Sequence, residues 1–541
     1  MSRAVPEGQI FGPKRGREAA EVAVACVVAF AFALSFGLNF GTGNQPSYLL
    51  AAVHRRDPSL LRRDWFVTET TQYHLVYTQL GAALLALDPS GWLMAALNLL
   101  LVTGTGLALY ALCRILAGPR GALPSFLLTM AFAFAKHWPG PLTTYVFDEA
   151  FQPSGITNTL FIGAAVAFVA GRFGWSGVLL GLTALCHLNM LVLVLPVFGL
   201  AHLLLGREAL VRRLVLQLPW AAAAALPFLP MLLRANLPVP NAELARHIWV
   251  SIRFPHHFGV REHLRQFLPF CGWLLVAAAV LWPFVRAREE AAFGRFAALL
   301  AGIVAIIGVG TIGTLLTDRL AALFAWRLIA HFCVFAQLAF SVLVVRLLLE
   351  PALWTRLPHR LRAGARFART TAAYPYVVRG ACALLLVNYA VGPLVRMRNH
   401  SNLLVQHADA RSELETWMRE RSPKDALFLI PPKEETLRFR GERAVVVDWK
   451  SAPSIPGQIL EWYRRINDVA GVEVRREADL DHYAELDPIR LEALRKRYAI
   501  DFAVVEQKDA AKLADYTAVY SNTGYTVFDA LPNRAKTHAE R

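Results

Sequence analysis

Apolar residues run through most of the chain in unbroken blocks, parted by short polar breaks rich in Arg, Pro and Gly. Blocks such as 21–36 (EVAVACVVAFAFALSF) and 294–310 (GRFAALLAGIVAIIGVG) approach the ~20 apolar residues that cross a bilayer. Their Ala, Leu, Val and Gly content, without strict alternation, predicts helices that satisfy their own backbone hydrogen bonds in lipid. A transmembrane barrel needs short alternating segments and is excluded. The first helix is expected near 18–39, and a long polar loop, 40–72, follows it. The next apolar stretch, 73–87 (YHLVYTQLGAALLAL), is only about 15 residues and short for a crossing. We read it as an interfacial helix, so that the first external loop extends over 40–91.

Further spans are expected near 92–112, 122–137, 154–171, 174–188, 189–206, 213–233, 267–286, 294–314, 327–348 and 371–393. With the first helix this makes an all-α polytopic membrane bundle of about eleven transmembrane helices. One tight turn at His187-Leu188-Asn189 has to separate the two short spans between 174 and 206. The formal charge of +16 does not point to nucleic acid, because beyond residue 393 acids and bases nearly balance. The excess falls in short breaks between helices, above all 346–369 (RLLLEPALWTRLPHRLRAGARFAR), as the positive-inside rule predicts. Counting from that loop places the N-terminus in the cytoplasm and the C-terminal region outside.

Cys26, Cys113, Cys186, Cys271, Cys333 and Cys382 all lie in or beside apolar spans and make neither a disulfide framework nor a zinc spacing. The first apolar stretch follows Lys14, Arg15 and Arg17 and has no A-x-A-like cleavage site after it, so it is expected to be retained as a helix. P-loop, G-x-G-x-x-G, H-E-x-x-H and G-x-S-x-G patterns are missing, which leaves ATP-driven transport, nucleotide oxidoreduction and zinc hydrolysis without support.

From about residue 397 the pattern changes to that of a soluble α/β domain. Residues 410–421 (ARSELETWMRER), 456–470 and 488–498 are expected to be helices. Ala426–Ile430, Ala444–Val447, 500–505 and 517–528 are expected to be strands. The predicted division is therefore a transmembrane domain over 1–396 and a C-terminal α/β domain over 397–541.

The order of parts in 92–171 is distinctive: LNLLLVTGTGLALYALCR, AGPRGALP, SFLLTMAFAFAKHW, TTYVFDEAFQPSG, ITNTLFIGAAVAFVAGR. In this order, and in ELETWMRERSPKDALFLIPP at the start of the soluble domain, the chain resembles the GT-C class of membrane glycosyltransferases. Polyprenyl-phosphate-sugar mannosyltransferases and oligosaccharyltransferases belong to that class. The resemblance implies a transferase that moves a sugar from a polyprenyl-phosphate carrier on the outer side of the membrane. It implies Asp148 and Glu149 as the acidic motif, holding a divalent metal (Mg or Mn) or the acceptor proton. The alternative reading of this pair is a hydrated cap on the following helix.

The first external loop departs from the class, which carries an acidic residue soon after its first helix. Here GTGNQPSYLLAAV places Asn44 and Gln45 there, and neither amide accepts a proton at neutral pH. Asp57 and Asp64 lie further along and are the substitute candidates, although two arginines before each favour surface ion pairs. The external segment RHIWVSIRFPHHFGVREHLR supplies Arg253, His256 and His257 as candidates for a lipid-linked phosphate, with Arg319 and Arg327 further on. Two rival functions remain open at this stage: a non-catalytic protein that binds lipid-linked glycan or scaffolds envelope assembly, and, with no inverted repeat to favour it, a transporter. The expected partners are the bilayer and a polyprenyl-phosphate-linked sugar, with no nucleic acid. Ala- and Arg-rich composition points to a bacterial cytoplasmic (inner) membrane with the C-terminal domain in the periplasm.

Overall fold

The computed structural model describes residues 13–71, 74–135, 145–207, 209–235, 239–258, 264–287, 291–316, 324–350, 394–404 and 409–532. Helix α1 (Pro13–Leu34) leads into a loop that carries the short helices α2 (Gln45–Tyr48), α3 (Leu50–Arg56), α4 (Trp65–Glu69) and α5 (Leu75–Leu87). Helix α6 (Trp92–Ala135) is one element with a sharp break at Gly118 (φ 69°, ψ 175°), so the two predicted spans are its two arms. The break follows from Gly118-Pro119: proline withholds an N–H and pushes the preceding residue out of helix, and only glycine takes that positive φ without strain.

The remaining apolar helices are α7 (Pro153–Val169), α8 (Phe173–Cys186), α9 (Leu188–Leu204), α10 (Leu210–Ala225) and α11 (Leu229–Ala235). After α12 (Ala242–His247) and α13 (Pro255–Phe258) come α14 (Leu268–Ala287), α15 (Ala291–Leu316) and α16 (Arg327–Leu349). Helix α1 packs on α6, α6 on α7 and α16, α8 on α7 and α10, α9 on α15, and α14 on α16. Helix α16 is almost wholly enclosed, whereas Val27, Leu100, Trp175, Val192, Leu275 and Val309 face outward from the bundle. An outward apolar surface around helices is what a lipid-embedded bundle presents. Among the described residues four helices have the length and apolarity of a crossing. Helices α8 and α9, at 14 and 17 residues, are shorter than the ~20 of a full span. The expected crossing at 371–393 lies outside the described residues.

Contacts divide the helix ends between two faces. At one face Arg114 pairs with Glu18 at 3.3 Å, Arg346 with Glu350 at 2.8 Å, and Arg295 Nε donates to the Val169 carbonyl at 2.7 Å. At the other lie the loop after α1, the segment 145–152, the turn at His187, residues 239–258, the start of α16 and the C-terminal unit.

The C-terminal unit is a mixed five-stranded sheet of order β2-β1-β3-β5-β4. Strand β1 (Leu427–Leu429) is parallel to both β2 (Ala444–Val445) and β3 (Phe502–Glu506). Strands β4 (Tyr516–Ser521) and β5 (Tyr525–Pro532) form a hairpin where a single strand over 517–528 was expected. The Asn522 side chain makes that turn by accepting from Gly524 N and Tyr525 N at 3.0 and 2.9 Å. Helices α17 (Ala410–Arg421), α18 (Glu435–Gly441), α19 (Pro456–Ala470) and α20 (Pro488–Tyr498) accompany the sheet. Its core is shared with the rest of the chain: Trp65, Ala245, Ile248 and Ile252 are buried among Leu427, Val446, Trp449, Ile459 and Trp462.

Candidate functional site

The loop after α1 is sewn to the acidic segment by side-chain amides. Gln45 is fully buried; its Oε1 accepts from Gly41 N at 2.7 Å and its Nε2 donates to the Phe151 carbonyl at 2.8 Å. Tyr77 Oη donates to the same carbonyl at 2.7 Å, and Asn44 N donates to Gln152 Oε1 at 3.3 Å. Asn39 Nδ2 reaches the Glu149 carbonyl at 3.4 Å.

Within that segment the two neighbouring carboxylates part. Asp148 is buried between α6 and α7, where Oδ1 accepts from Gln152 Nε2 at 2.6 Å and Oδ2 from Ser154 Oγ at 3.0 Å. Asn98 Nδ2 holds its carbonyl at 3.1 Å. Burial pushes the Asp148 carboxyl up to about 6, against the lowering effect of the Ser154 and Gln152 donors and the Arg327 charge. Glu149 is exposed, and its Oε1 lies 3.7 Å from where a Cβ on Gly43 would sit, next to Asn44.

Beside this seam a cleft of ≈ 690 Å³, its open mouth included, runs between the loop after α1, the segment after α12 and the C-terminal unit. Its walls include Asn44, Tyr48, His74, Trp249, Arg253 and Lys450. Arg253 lies over the rings of Phe254 (4.3 Å) and Trp449 (5.1 Å), and its Nη2 donates to the Lys450 carbonyl at 3.1 Å. Its Nε is buried without a hydrogen-bond partner among the described residues. Burial lowers the Arg253 guanidinium to about 10, so it stays charged at neutral pH. A buried cation with an unused donor, facing a cleft with a second cation, is equipped for an anion.

Two histidines line the path from the cleft to Arg327. The His74 ring stands 4.6 Å from Tyr48 and 4.8 Å from His187. Its Nδ1 is 3.2 Å from the Cys186 carbonyl, which only accepts, so Nδ1 carries the proton. Burial, reinforced by the Arg327 charge, holds His74 neutral by lowering it to about 4. Arg327 Nη1 lies 3.1 Å from His187 Nε2; an arginine only donates, so that nitrogen accepts and His187 is neutral. Arg327 thus sits behind the cleft, anchored by His187 and close enough to act on Asp148. Sequence reading missed His74, His187 and Lys450. The one available signal was a histidine at the break between two apolar helices, since polar side chains at that depth face a cavity or a partner.

The other candidates are placed elsewhere. Asp57 makes a surface ion pair, with Lys424 at 3.0 Å rather than with the preceding arginines. Asp64 is not at the surface: it is fully buried, caps α4 at Val67 N and faces Arg438 at 3.4 Å. Neither stands beside Asp148 to replace a missing base. His256 and His257 pack against each other (4.1 Å), and His257 also meets Phe254 (5.7 Å) and Phe324 (4.7 Å). Both flank the cleft wall at Phe254 without lining the cleft. Arg319 lies outside the described residues.

Asp148 and Glu149, the pair expected to hold a divalent ion, stand in different surroundings. Both oxygens of Asp148 are occupied by side-chain donors while Glu149 points to the surface. Among the described residues no three His, Cys, Asp or Glu side chains gather as a donor set.

The helical bundle with an α/β unit docked on one face is a fold shared with two solved proteins of the GT-C class. The structure is similar to ArnT from Cupriavidus metallidurans bound to undecaprenyl phosphate, with TM-score 0.52, 16% identity, and coverage of 96% of this chain and 98% of that one. It is also similar to the Archaeoglobus fulgidus oligosaccharyltransferase in complex with Zn and sulfate, with TM-score 0.50, 14% identity, and coverage of 94% and 73%. At these identities the likeness establishes the fold, that of a multi-pass membrane protein, and nothing finer. A domain of unknown function (DUF6798) matches residues 410–469, and no curated protein matches the chain in sequence.

Proposed function

We propose that this chain is a GT-C-type membrane group transferase that takes a sugar carried on a polyprenyl phosphate. The donor phosphate would sit in the cleft against Arg253 and Lys450, with the C-terminal unit on the periplasmic side of a bacterial inner membrane. The observation that carries the proposal is Arg253, a buried cation with an Nε that has no partner among the described residues, in the wall of an aromatic-lined cleft. Such a donor costs stability unless a ligand satisfies it. The ArnT structure of the same fold was bound to undecaprenyl phosphate, which fits an isoprenoid phosphate as that ligand.

In this reading Glu149 takes the acceptor proton, because it is the exposed carboxylate beside the cleft residue Asn44, and Asp148 sets the segment that carries it. His187 fixes Arg327, whose charge faces the same segment. No step is assigned to a metal. The second reading, a binder of lipid-linked glycan without catalysis, is favoured by one observation: Gln45 stands where a carboxylate is expected, and its amide donates and accepts within the fold. Transfer from a panel of polyprenyl-phosphate sugars to a cell-envelope extract, with retention of lipid measured in parallel, separates the two. Transfer supports the enzyme; retained lipid with no transfer supports the binder; neither defeats both.

A further inference from the structure

The first external loop and the C-terminal unit meet through three charged side chains that are almost completely removed from solvent. Asp64, at the N-terminus of α4, faces Arg438 Nε at 3.4 Å; Arg438 Nη2 reaches Asp448 at 3.1 Å; each is at most 1% exposed. Asp64 also accepts from Val67 N at 3.2 Å within its own loop and from Val445 N at 3.1 Å on β2, so one carboxylate ties both parts. Asp448 follows β2 and accepts from Ser451 N at 2.6 Å and Ser451 Oγ at 3.2 Å. Ser451 Oγ in turn lies 3.1 Å from Ser47 Oγ on α2, across the cleft. The Trp462 indole holds the Asp448 carbonyl at 3.0 Å.

Burying two carboxylates and a guanidinium is a poor way to gain stability, because desolvation offsets most of the attraction. Arg438 Nε and Nη1 do not even complete their hydrogen bonds. What such a group does supply is register, since charges in a dry interface tolerate few alternative arrangements. The register at stake is that of 449–453, which includes Trp449 beneath Arg253 and the cleft residues Lys450 and Ser451.

We propose that Asp64, Arg438 and Asp448 are positioning residues: a buried latch that holds the 449–453 wall against the first external loop and so sets the width of the anion cleft. The proposal rests on the reading of that cleft as a phosphate site. It predicts that freeing the wall weakens an anionic ligand although no residue touching the ligand has changed.

The Ser47–Ser451 contact allows a test. In an S47C/S451C parent the two thiols should oxidise readily to a disulfide, read by mass spectrometry of the cross-linked peptides. Adding Asp448→Asn, which keeps the shape but removes the charge that faces Arg438 and weakens the acceptor for the backbone N of residue 451, should lower the disulfide yield several-fold. It should also raise the Kd for undecaprenyl phosphate in detergent micelles by about tenfold, the worth of one charge-assisted hydrogen bond. Trapping the disulfide in the Asp448→Asn background should then restore the affinity of the oxidised parent, which a general folding defect would not permit. Arg438→Met should behave as Asp448→Asn does; if it fails to insert, Asp448→Asn alone decides. An undiminished disulfide yield overturns the latch, and so does an affinity loss that cross-linking does not restore. If the parent binds no undecaprenyl phosphate, the phosphate reading of the cleft fails, and the disulfide yield still decides whether the latch holds the wall.

Discussion

The Gln45 side-chain amide donates to the Phe151 carbonyl across 2.8 Å, joining the loop after the first helix to the segment that carries Asp148 and Glu149. Where the GT-C resemblance predicts a carboxylate, this chain has a neutral bridge with its donor and its acceptor both in use. Loop and acidic segment are held in register by these hydrogen bonds and by Phe151, which is buried with Leu49, Leu50 and Tyr77.

Gln45→Glu therefore destabilises the chain. The new carboxylate keeps the bond from Gly41 N but faces the Phe151 carbonyl with a second acceptor in a buried site. A loss of roughly 1–3 kcal/mol is expected, measured as a lower unfolding temperature in detergent. An unchanged unfolding temperature would show that the seam is held elsewhere.

Arg253→Ala weakens binding of a polyprenyl-phosphate analogue by ~1.5–3 kcal/mol, the worth of a hydrogen bond to a charged group. Lys450→Ala has a smaller effect in the same direction, because that side chain is shared with Glu435 at 3.0 Å. Titration calorimetry on purified protein reads both. Equal affinities for wild type and Arg253→Ala would remove the phosphate from this cleft.

Asp148 makes stability depend on pH in a defined sense. Its carboxyl rises from the ordinary 3.8 to about 6 on folding, so the protonated form is the one the fold favours. Its contribution is fully present below pH 3.8 and is lost as pH rises through about 6. Asp148→Asn, neutral throughout, flattens that part of the profile and is the more stable protein at pH 7, by about 3 kcal/mol at most. Unfolding temperatures of the two proteins from pH 4 to 7 give the comparison; parallel curves would contradict the buried carboxyl.

Glu149→Gln is the discriminating change for catalysis. If the exposed carboxylate accepts the proton, transfer falls ~10²–10⁴-fold, while Asp148→Asn costs less because it alters only the support of that segment. The reverse order would return the catalytic role to Asp148.

Residue 350 ends α16 at the arginine-bearing face, whereas Ser401 and Asn402 bond to Leu38 and Phe40 at the face that carries the C-terminal unit. Residues 350 and 401 therefore lie at opposite faces of the bundle. A reporter that needs export should be active when fused after residue 404 and silent after residue 350; activity at both sites would refute the orientation.

What the sequence determined by itself is the material of each part. Long apolar runs can only be helices in lipid, Gly118-Pro119 can only be a break, and the alternation after residue 410 can only be a small α/β unit, because these outcomes depend on local propensity and burial. The acidic pair, Arg253 and Arg327 stood out in the sequence as candidates, since charges beside apolar spans need a reason to be there. Their arrangement was not. Asp148 and Glu149 are neighbours in sequence, yet one is buried under Gln152 and Ser154 and the other is exposed beside Gly43. Asp64 reads as a surface acid after two arginines, and only the docking of the C-terminal unit buries it against Arg438. His74, His187 and Lys450 reach the cleft or its rear wall from three distant stretches of chain. Their convergence depends on long-range packing between the loops and the domain, and no local pattern carries that information.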